Sequence, residues 1–477
     1  MQIIVKSVEK TELCVDTNRN KGYNVFRRDT DMEKNRCKIQ LSDHFTYKRL
    51  IRFVLPSVAM MVFTSIYGVV DGLFVSNVVG KTPFAAINLI WPFVMMIGAA
   101  GFMFGTGGTA VVAKTLGEGK RELANKYFTM LTLVTALSGV VLGAVGVVLL
   151  RPVGIFMGAE GDMLSYAVTY GIINLCALPF FMLQILFQSF FVTAEKPKLG
   201  LFVTVAAGLT NMILDAVLVH PFGLEGAAFA TALSQCVGGT IPLVYFARRN
   251  TSLLRFTKPS FYGKVLLKVC TNGSSELMSN ISASIIGTLF NLQLMKLAGE
   301  DGVSAYGVIM YVAFLFLAMF FGYSVGSAPI IGYNYGAGNR EELKNMFKKS
   351  VTVMLCGGVF MATVSVLASG ILADMFVGYD QKLCDMTRRG FFIYAFSFLL
   401  SGLNIFGSAL FTALNNGAVS AAISFLRSFV FQVVLVLLLP KLLGLDGIWL
   451  SAFGSELLSI CVTVFFVLKY KKKYHYM

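Results

Sequence analysis

Two aspartates, Asp71 and Asp215, interrupt stretches that are otherwise apolar enough to span a membrane. An ionised carboxylate at a bilayer centre costs roughly 2.5 to 3.5 kcal/mol on insertion scales, so the pair costs on the order of 5 to 7 kcal/mol. Residues so costly to keep there bind something or move a proton. Asp71 lies in the run Ser65-Ile-Tyr-Gly-Val-Val-Asp-Gly-Leu-Phe-Val75, and Asp215 closes Asn211-Met-Ile-Leu-Asp215. The i, i+4 spacing puts Asn211 and Asp215 on one helix face. An amide oxygen beside a carboxylate suits a hard cation such as Na⁺, and a carboxylate in a low-dielectric site can instead carry a proton. The simpler alternative is a pair of interfacial acids satisfied by backbone or solvent near a helix end. The depth of both residues within apolar runs favours the functional reading.

Other polar groups give weaker signals. Gln184 and Gln188 share a helix face and are candidates for a substrate cavity, together with Tyr67. Pro56 removes a backbone hydrogen bond about four turns before Asp71, a place where a helix can bend and gate. Glu276, Arg427 and Glu456 fall within later apolar runs, where an Arg427–Glu456 pair would join helices. Gly105, Gly107 and Gly108 lack the lysine of a phosphate loop and suit close helix packing. His44, His220 and His475 stand at span ends or in tails, poor places for a proton relay. The eight cysteines form no CxxC or Cys/His cluster, so neither a zinc site nor a disulfide framework is expected.

The elements that must position these residues are membrane helices. Of 477 residues 56% are hydrophobic and only 14% charged, and mean hydropathy is +0.72. That is far too apolar for a soluble domain. Runs long enough to cross the hydrocarbon core occur near 53–79, 83–113, 127–150, 164–192, 200–220, 226–246, 270–297, 303–333, 350–376, 391–412, 420–440 and 447–468. An all-α polytopic membrane protein of about twelve spans is expected. The net charge of +15 does not point to nucleic acid, because Lys and Arg cluster in every second connection. The 114–126 loop, the 247–268 linker and the tail are strongly basic, which places both termini in the cytoplasm of a cell with a plasma or inner membrane. The 377–390 connection is the one weak exception. Residues 1–31 read as a poorly ordered extension or an upstream start, with no function assigned.

The chain repeats itself. Gly117-Glu-Gly-Lys-Arg-Glu122 resembles Gly336-Ala-Gly-Asn-Arg-Glu341, Ser189, Thr193 and Ala194 match Ser408, Thr412 and Ala413, and Gly223-Leu-Glu-Gly226 matches Gly444-Leu-Asp-Gly447. These matches share one offset of about 220 residues. Six spans per repeat is an even number, so the expected architecture is two six-helix lobes related by a pseudo-two-fold axis along the membrane normal. The expected division is a 1–45 extension, an N-lobe over 46–246, a basic linker over 247–268, a C-lobe over 269–468 and a tail over 469–477. The repeat positions of Asp71 and Asp215 are Phe290 and Val434, so the acids belong to one lobe only.

The segment around Tyr67–Asp71, Pro92 with Gly105-Thr-Gly-Gly108, Gly117-Glu-Gly119, Asn211–Asp215, Gly226-Ala-Ala-Phe-Ala-Thr231 and Gly332-Tyr-Asn-Tyr-Gly-Ala-Gly338 together resemble the multidrug and toxic compound extrusion (MATE) family, over residues 45 to 468. The resemblance is strongest to the branch with the DinF-like members. It implies an N-lobe site made of Asp71, Asn211, Asp215, Thr231 and the carbonyl of Ala227, able to take H⁺ or Na⁺, the latter at Asp71, Asn211, Asp215 and Thr231. In the NorM-like branch C-lobe acids carry coupling, and Glu276 does not fall at that position. The expected protein is a monomeric secondary antiporter with no organic cofactor, whose partners are amphipathic or cationic drugs and membrane lipid. A lipid-linked oligosaccharide flippase shares the architecture and is the alternative, although it calls for a cationic cavity. A membrane enzyme is disfavoured because no HExxH, DDxxD or Ser/His constellation occurs in the spans.

Overall fold

The computed structural model describes residues 39–378 and 380–477, and these are helical apart from short connections. The N-terminal half is α1 (Tyr47–Val78), α2 (Lys81–Gly117), α3 (Arg121–Phe156), α4 (Gly161–Cys176), α5 (Leu178–Thr193) and α6 (Pro197–Ala247). The C-terminal half is α7 (Gly263–Gly336), α8 (Arg340–Val377), α9 (Gln381–Ala395), α10 (Phe398–Ala413), α11 (Gly417–Phe425), a π-helical turn (Leu426–Val430), α12 (Phe431–Leu443) and α13 (Leu445–Tyr474).

Two of these helices are too long for one crossing. At 51 and 74 residues, α6 and α7 would run about 75 and 110 Å if straight, against a hydrocarbon core of about 30 Å. Each folds back at a glycine, Gly223 (φ 56°, ψ −128°) and Gly299 (φ 62°, ψ −147°), in a conformation closed to residues with a Cβ. The pairs α4/α5 and α9/α10 are single crossings bent by 54° and 47°. With each hinged helix counted as two and each bent pair as one, there are twelve crossings, six in each of two lobes.

The backbone itself carries the repeat. Positive-φ residues pair as Gly80 with Gly299, Gly119 with Gly338, Glu195 with Asn415 and Gly223 with Gly444, separated by 219 to 221 positions. The pair Glu195 and Asn415 shows that the left-handed turn is kept even where the residue is not glycine. Large apolar side chains such as Leu137, Val148, Leu367, Ile371 and Leu442 point outward, as a lipid-facing surface requires.

The lobes meet closely at the end bearing the basic loops. A Cβ on Gly117 would lie 2.0 Å from the Tyr333 carbonyl, and one on Gly336 would lie 2.0 Å from the Lys114 carbonyl. These are repeat-equivalent contacts, so the pseudo-two-fold axis passes between them. Away from the axis, Gly273 of α7 packs on the Met103 backbone of α2. Its counterpart is the packing of Gly322 and Gly326 of α7 on Val58 and Val54 of α1. Towards the other end, the repeat-equivalent Gly68 and Gly287 have nothing within 4 Å of a built Cβ. One face of α1 and of α7 therefore looks onto open space.

Each lobe is entered through a segment that lies on the other lobe. Residues 39–46, which lead into α1, bury Leu41 and Phe45 in the C-lobe core. There Glu342 accepts from the Phe45 N–H at 2.9 Å and pairs with His44 Nδ1 at 2.7 Å, while Asn345 donates to the Phe45 carbonyl at 3.0 Å. The Leu41 N–H reaches back to Glu195 of the N-lobe at 2.7 Å. The linker into α7 lies in turn on α3, with the Arg255 and Thr257 N–H groups donating to Asn125 and Thr129 at 3.0 Å each.

Candidate functional site

Asp71 sits about two turns before the end of α1, and Asn211 and Asp215 lie on the face of the first half of α6 that meets it. The approach is close because Gly208, one turn before Asn211 and on the same stripe, has no side chain. A Cβ there would meet Phe63 at 2.5 Å and Tyr67 at 3.0 Å. Asn211 and Asp215 are 2% and 1% exposed, and Asp71 is half-buried. The Asp71 carboxyl lies against Asp215 and Asn211, near enough for a hydrogen bond with either.

Acceptors predominate here. Asp71 Oδ1, Asn211 Oδ1 and both carboxyl oxygens of Asp215 are buried with no donor in place. An unpartnered buried polar atom costs about 1 to 3 kcal/mol, and more when charged. Four of them converging is a strong demand for a proton or a cation. Such a set of oxygens has the chemistry to take up a proton or a hard cation. Thr231, on the second half of α6, is half-buried beside the Tyr170 hydroxyl. Val75, Val219 and Ala227 form a small apolar plug on the side of the hinge at Gly223. Ala227 is thus buried in that plug at 1% exposure.

Tyr170 and Asn174 of α4 were not among the residues singled out in the sequence. The Tyr170 hydroxyl lies within reach of Thr231 and Asn174 and close to both aspartates. Its ring packs edge-on to Trp91 at 6.5 Å. The signal for it was an i, i+4 Tyr/Asn pair in an apolar run, which is weak because tyrosine is common near membrane interfaces.

The remaining candidates are placed as follows. Tyr67 is half-buried beside Phe63 (6.0 Å between rings), with its hydroxyl in the field of Asp71. Gln184 is 7% exposed and lies over Gly238 of α6, and Gln188 donates to Thr204 Oγ1 at 3.3 Å. Pro56 is buried within an unbroken α1 at the basic end, next to the residues that pack on Gly322 and Gly326. At the C-lobe position matching Asp71, Phe290 stacks on Tyr306 at 4.9 Å. The sequence match of Asp215 to Val434 is corrected by the backbone, because the pairs Glu195/Asn415 and Gly223/Gly444 have offsets of 220 and 221. These put Asp215 opposite Leu435 or Val436, the latter fully buried, with the extra residue taken up at the π-helical turn Leu426–Val430.

The C-lobe holds its own charged cluster. Arg427, in the π-helical turn, binds Glu456 through three contacts of 2.7 to 3.0 Å. Glu456 also accepts from Asn404 Nδ2 at 2.7 Å, and Asn404 accepts from Thr463 at 2.9 Å. Glu276 faces Arg427 without a direct bond. Every group in the inner set has a partner, in contrast to the N-lobe site. Among the described residues no group of three or more His, Cys, Asp or Glu forms a metal cluster.

The MatE family model matches residues 56–217 and 277–438, one segment in each lobe. The chain is 24% identical to the multidrug export protein MepA of Staphylococcus haemolyticus over 430 residues, 88% of this chain and 93% of that one. It is 23% identical to MepA of Staphylococcus aureus over 436 residues, 89% and 93% of the two chains. Among solved structures it resembles a MATE protein in complex with MaL6 (TM-score 0.85, 20% identity, 90% of this chain and 97% of that one). It also resembles the outward-facing conformation of a multidrug resistance MATE family transporter of the MOP superfamily (TM-score 0.83, 20% identity, 90% and 97% coverage).

Proposed function

Because the chain belongs to the MatE family, we propose that it is a multidrug efflux transporter, and further that it exports amphipathic or cationic compounds by antiport with H⁺ or Na⁺. The observation that carries the coupling proposal is the donor-poor convergence of Asp71, Asn211 and Asp215 in one lobe. Thr231 and the Ala227 carbonyl complete the proposed set, with Tyr170 positioned beside it.

The physical logic is a competition for charge. Two ionised carboxylates in a low-dielectric lobe repel each other and resist enclosure. A proton or Na⁺ lowers that cost, so the lobe closes around a loaded site more readily than around an empty one. A cationic drug in the cleft between lobes answers the same negative field. The ion and the drug therefore substitute for one another, which is the requirement for exchange. Inward movement of one positive charge supplies about 2.3 kcal/mol per 100 mV, enough for a gradient on the order of fiftyfold in a neutral substrate. The basic end, closed by Gly117, Gly273, Gly326 and Gly336, faces the cytoplasm in this proposal, and the open faces of α1 and α7 line the cleft to the outside.

The test is dye transport in proteoliposomes under separately imposed H⁺ and Na⁺ gradients. Antiport predicts transport driven by one gradient and abolished when that gradient alone is collapsed. Equal transport with neither gradient would exclude it.

A further inference from the structure

Three lysines from three helices converge where the lobes meet at the basic end. Lys114 ends α2 in the N-lobe, Lys268 lies in the second turn of α7, and Lys473 ends α13 in the C-lobe. Lys114 and Lys473 both stand close enough to Lys268 to repel its charge. Tyrosines shape the place. Lys114 Nζ lies 5.5 Å from the Tyr335 ring, and Lys473 Nζ lies 5.7 and 5.2 Å from the rings of Tyr470 and Tyr474. Tyr335 and Tyr474 pack edge to face at 5.6 Å.

Little on the protein neutralises this charge. Glu118 is 3.7 Å from Lys114 but closer to Lys120, at 2.9 Å, and among the described residues no acid is paired with Lys268 or Lys473. The cluster is not a by-product of the repeat either. The matching positions of Lys114 and Lys268 are Tyr333 and Arg49, and there the seam is filled by the chain's own residues 39–46, with Arg49 donating to the His44 carbonyl at 3.3 Å. Among the described residues no such segment lies across the seam with the lysines.

We propose that this seam binds the phosphate of an anionic phospholipid headgroup from the leaflet at the basic end, bridging Lys114 of one lobe to Lys268 and Lys473 of the other. Lysines at a membrane surface attract anionic lipid, and tyrosines settle at headgroup depth. A bridging phosphate holds the basic end closed, because opening it draws Lys114 away from its two partners. This makes the closed state sensitive to lipid composition.

The test measures lipid binding by full-length protein in neutral phosphatidylcholine nanodiscs titrated with phosphatidylglycerol, read by native mass spectrometry. Wild type retains phosphatidylglycerol. The Lys114→Gln/Lys268→Gln/Lys473→Gln triple is expected to bind it on the order of a hundredfold more weakly. The triple Arg248→Gln/Lys258→Gln/Lys264→Gln removes equal charge from the exposed linker and is expected to bind nearly as wild type. The Lys→Arg triple at the seam keeps the charge and is expected to retain the lipid, which separates binding from folding defects. Equal loss in the two Gln triples would overturn the site. Displacement of the lipid by millimolar inorganic phosphate, with phosphate bound in its place, would overturn the lipid assignment.

Discussion

Replacing Gly273 by alanine strikes the lobe seam where no side chain can yield. The added Cβ would lie 1.9 Å from the Met103 carbonyl oxygen, with the Met103 carbonyl carbon and Cα at 2.6 and 2.8 Å. Ordinary contact begins near 3.4 Å, so α7 and α2 must separate by roughly 1.5 Å at this point. Overpacking of this kind costs about 1 to 3 kcal/mol. The cost falls only on the conformation in which the basic end is closed, so the balance between lobe positions shifts by a factor of about 5 to 150 towards opening. Spin labels at the exposed positions Lys120 and Arg340, in a cysteine-free background, report the distance across that end. A second, longer distance population is expected in Gly273→Ala. Gly357→Ala is the control, since its Cβ would meet only Phe320, at 3.4 Å. An unchanged distance distribution in folded Gly273→Ala, or the same change in both variants, would refute the reasoning that these glycines let the seam close.

The C-lobe cluster should respond unequally to loss of its two partners. Arg427→Met strands Glu456, which is nearly buried, and is expected to cost about 3 to 5 kcal/mol of stability in a detergent unfolding titration. Glu456→Gln should cost less because Glu276 still faces Arg427; equal costs would deny Glu276 that compensating role. Glu342→Ala orphans the buried N–H of Phe45 at a cost of about 1 to 3 kcal/mol, so a cysteine at Leu41 should be labelled about 5- to 150-fold faster. Unchanged labelling would show that Glu342 does not hold this segment down. Burial pushes the Glu195 carboxyl up from its ordinary range. A raised native value favours folding below the unfolded value and is lost as pH rises through the native one, so at neutral pH the ionised carboxylate is a liability. Glu195→Gln, which keeps an acceptor for the Leu41 N–H, should therefore raise the melting temperature at about pH 7, with little difference at about pH 3, below the unfolded Glu value. A difference independent of pH would contradict that.

The twelve crossings were legible because each apolar run approaches the thickness of a bilayer, and the two lobes because short motifs recur at one offset. Hydropathy could not show that the chain into each lobe lies across the other, since residues 39–46 and the linker are polar and find their partners by side-chain hydrogen bonds some 130 to 300 residues away. Asp71, Asn211 and Asp215 stood out because charge in an apolar run is rare and costly. Tyr170 did not, because a tyrosine in a membrane helix costs little and signals nothing until its hydroxyl is seen beside Thr231. The Arg427–Glu456 pair was anticipated, but the π-helical turn that carries Arg427 has no composition of its own. The seam lysines looked like ordinary cytoplasmic charge, since their meeting depends on how helices from two lobes end at one place.

Drug-driven cation exchange by Asp71→Asn and Asp215→Asn, measured in proteoliposomes alongside equilibrium drug binding, tests the coupling site most directly. Each variant is expected to remain folded and bind drug, yet to lose transport against an imposed H⁺ or Na⁺ gradient. Full gradient-driven transport in both variants would contradict the placement of coupling at these two carboxylates.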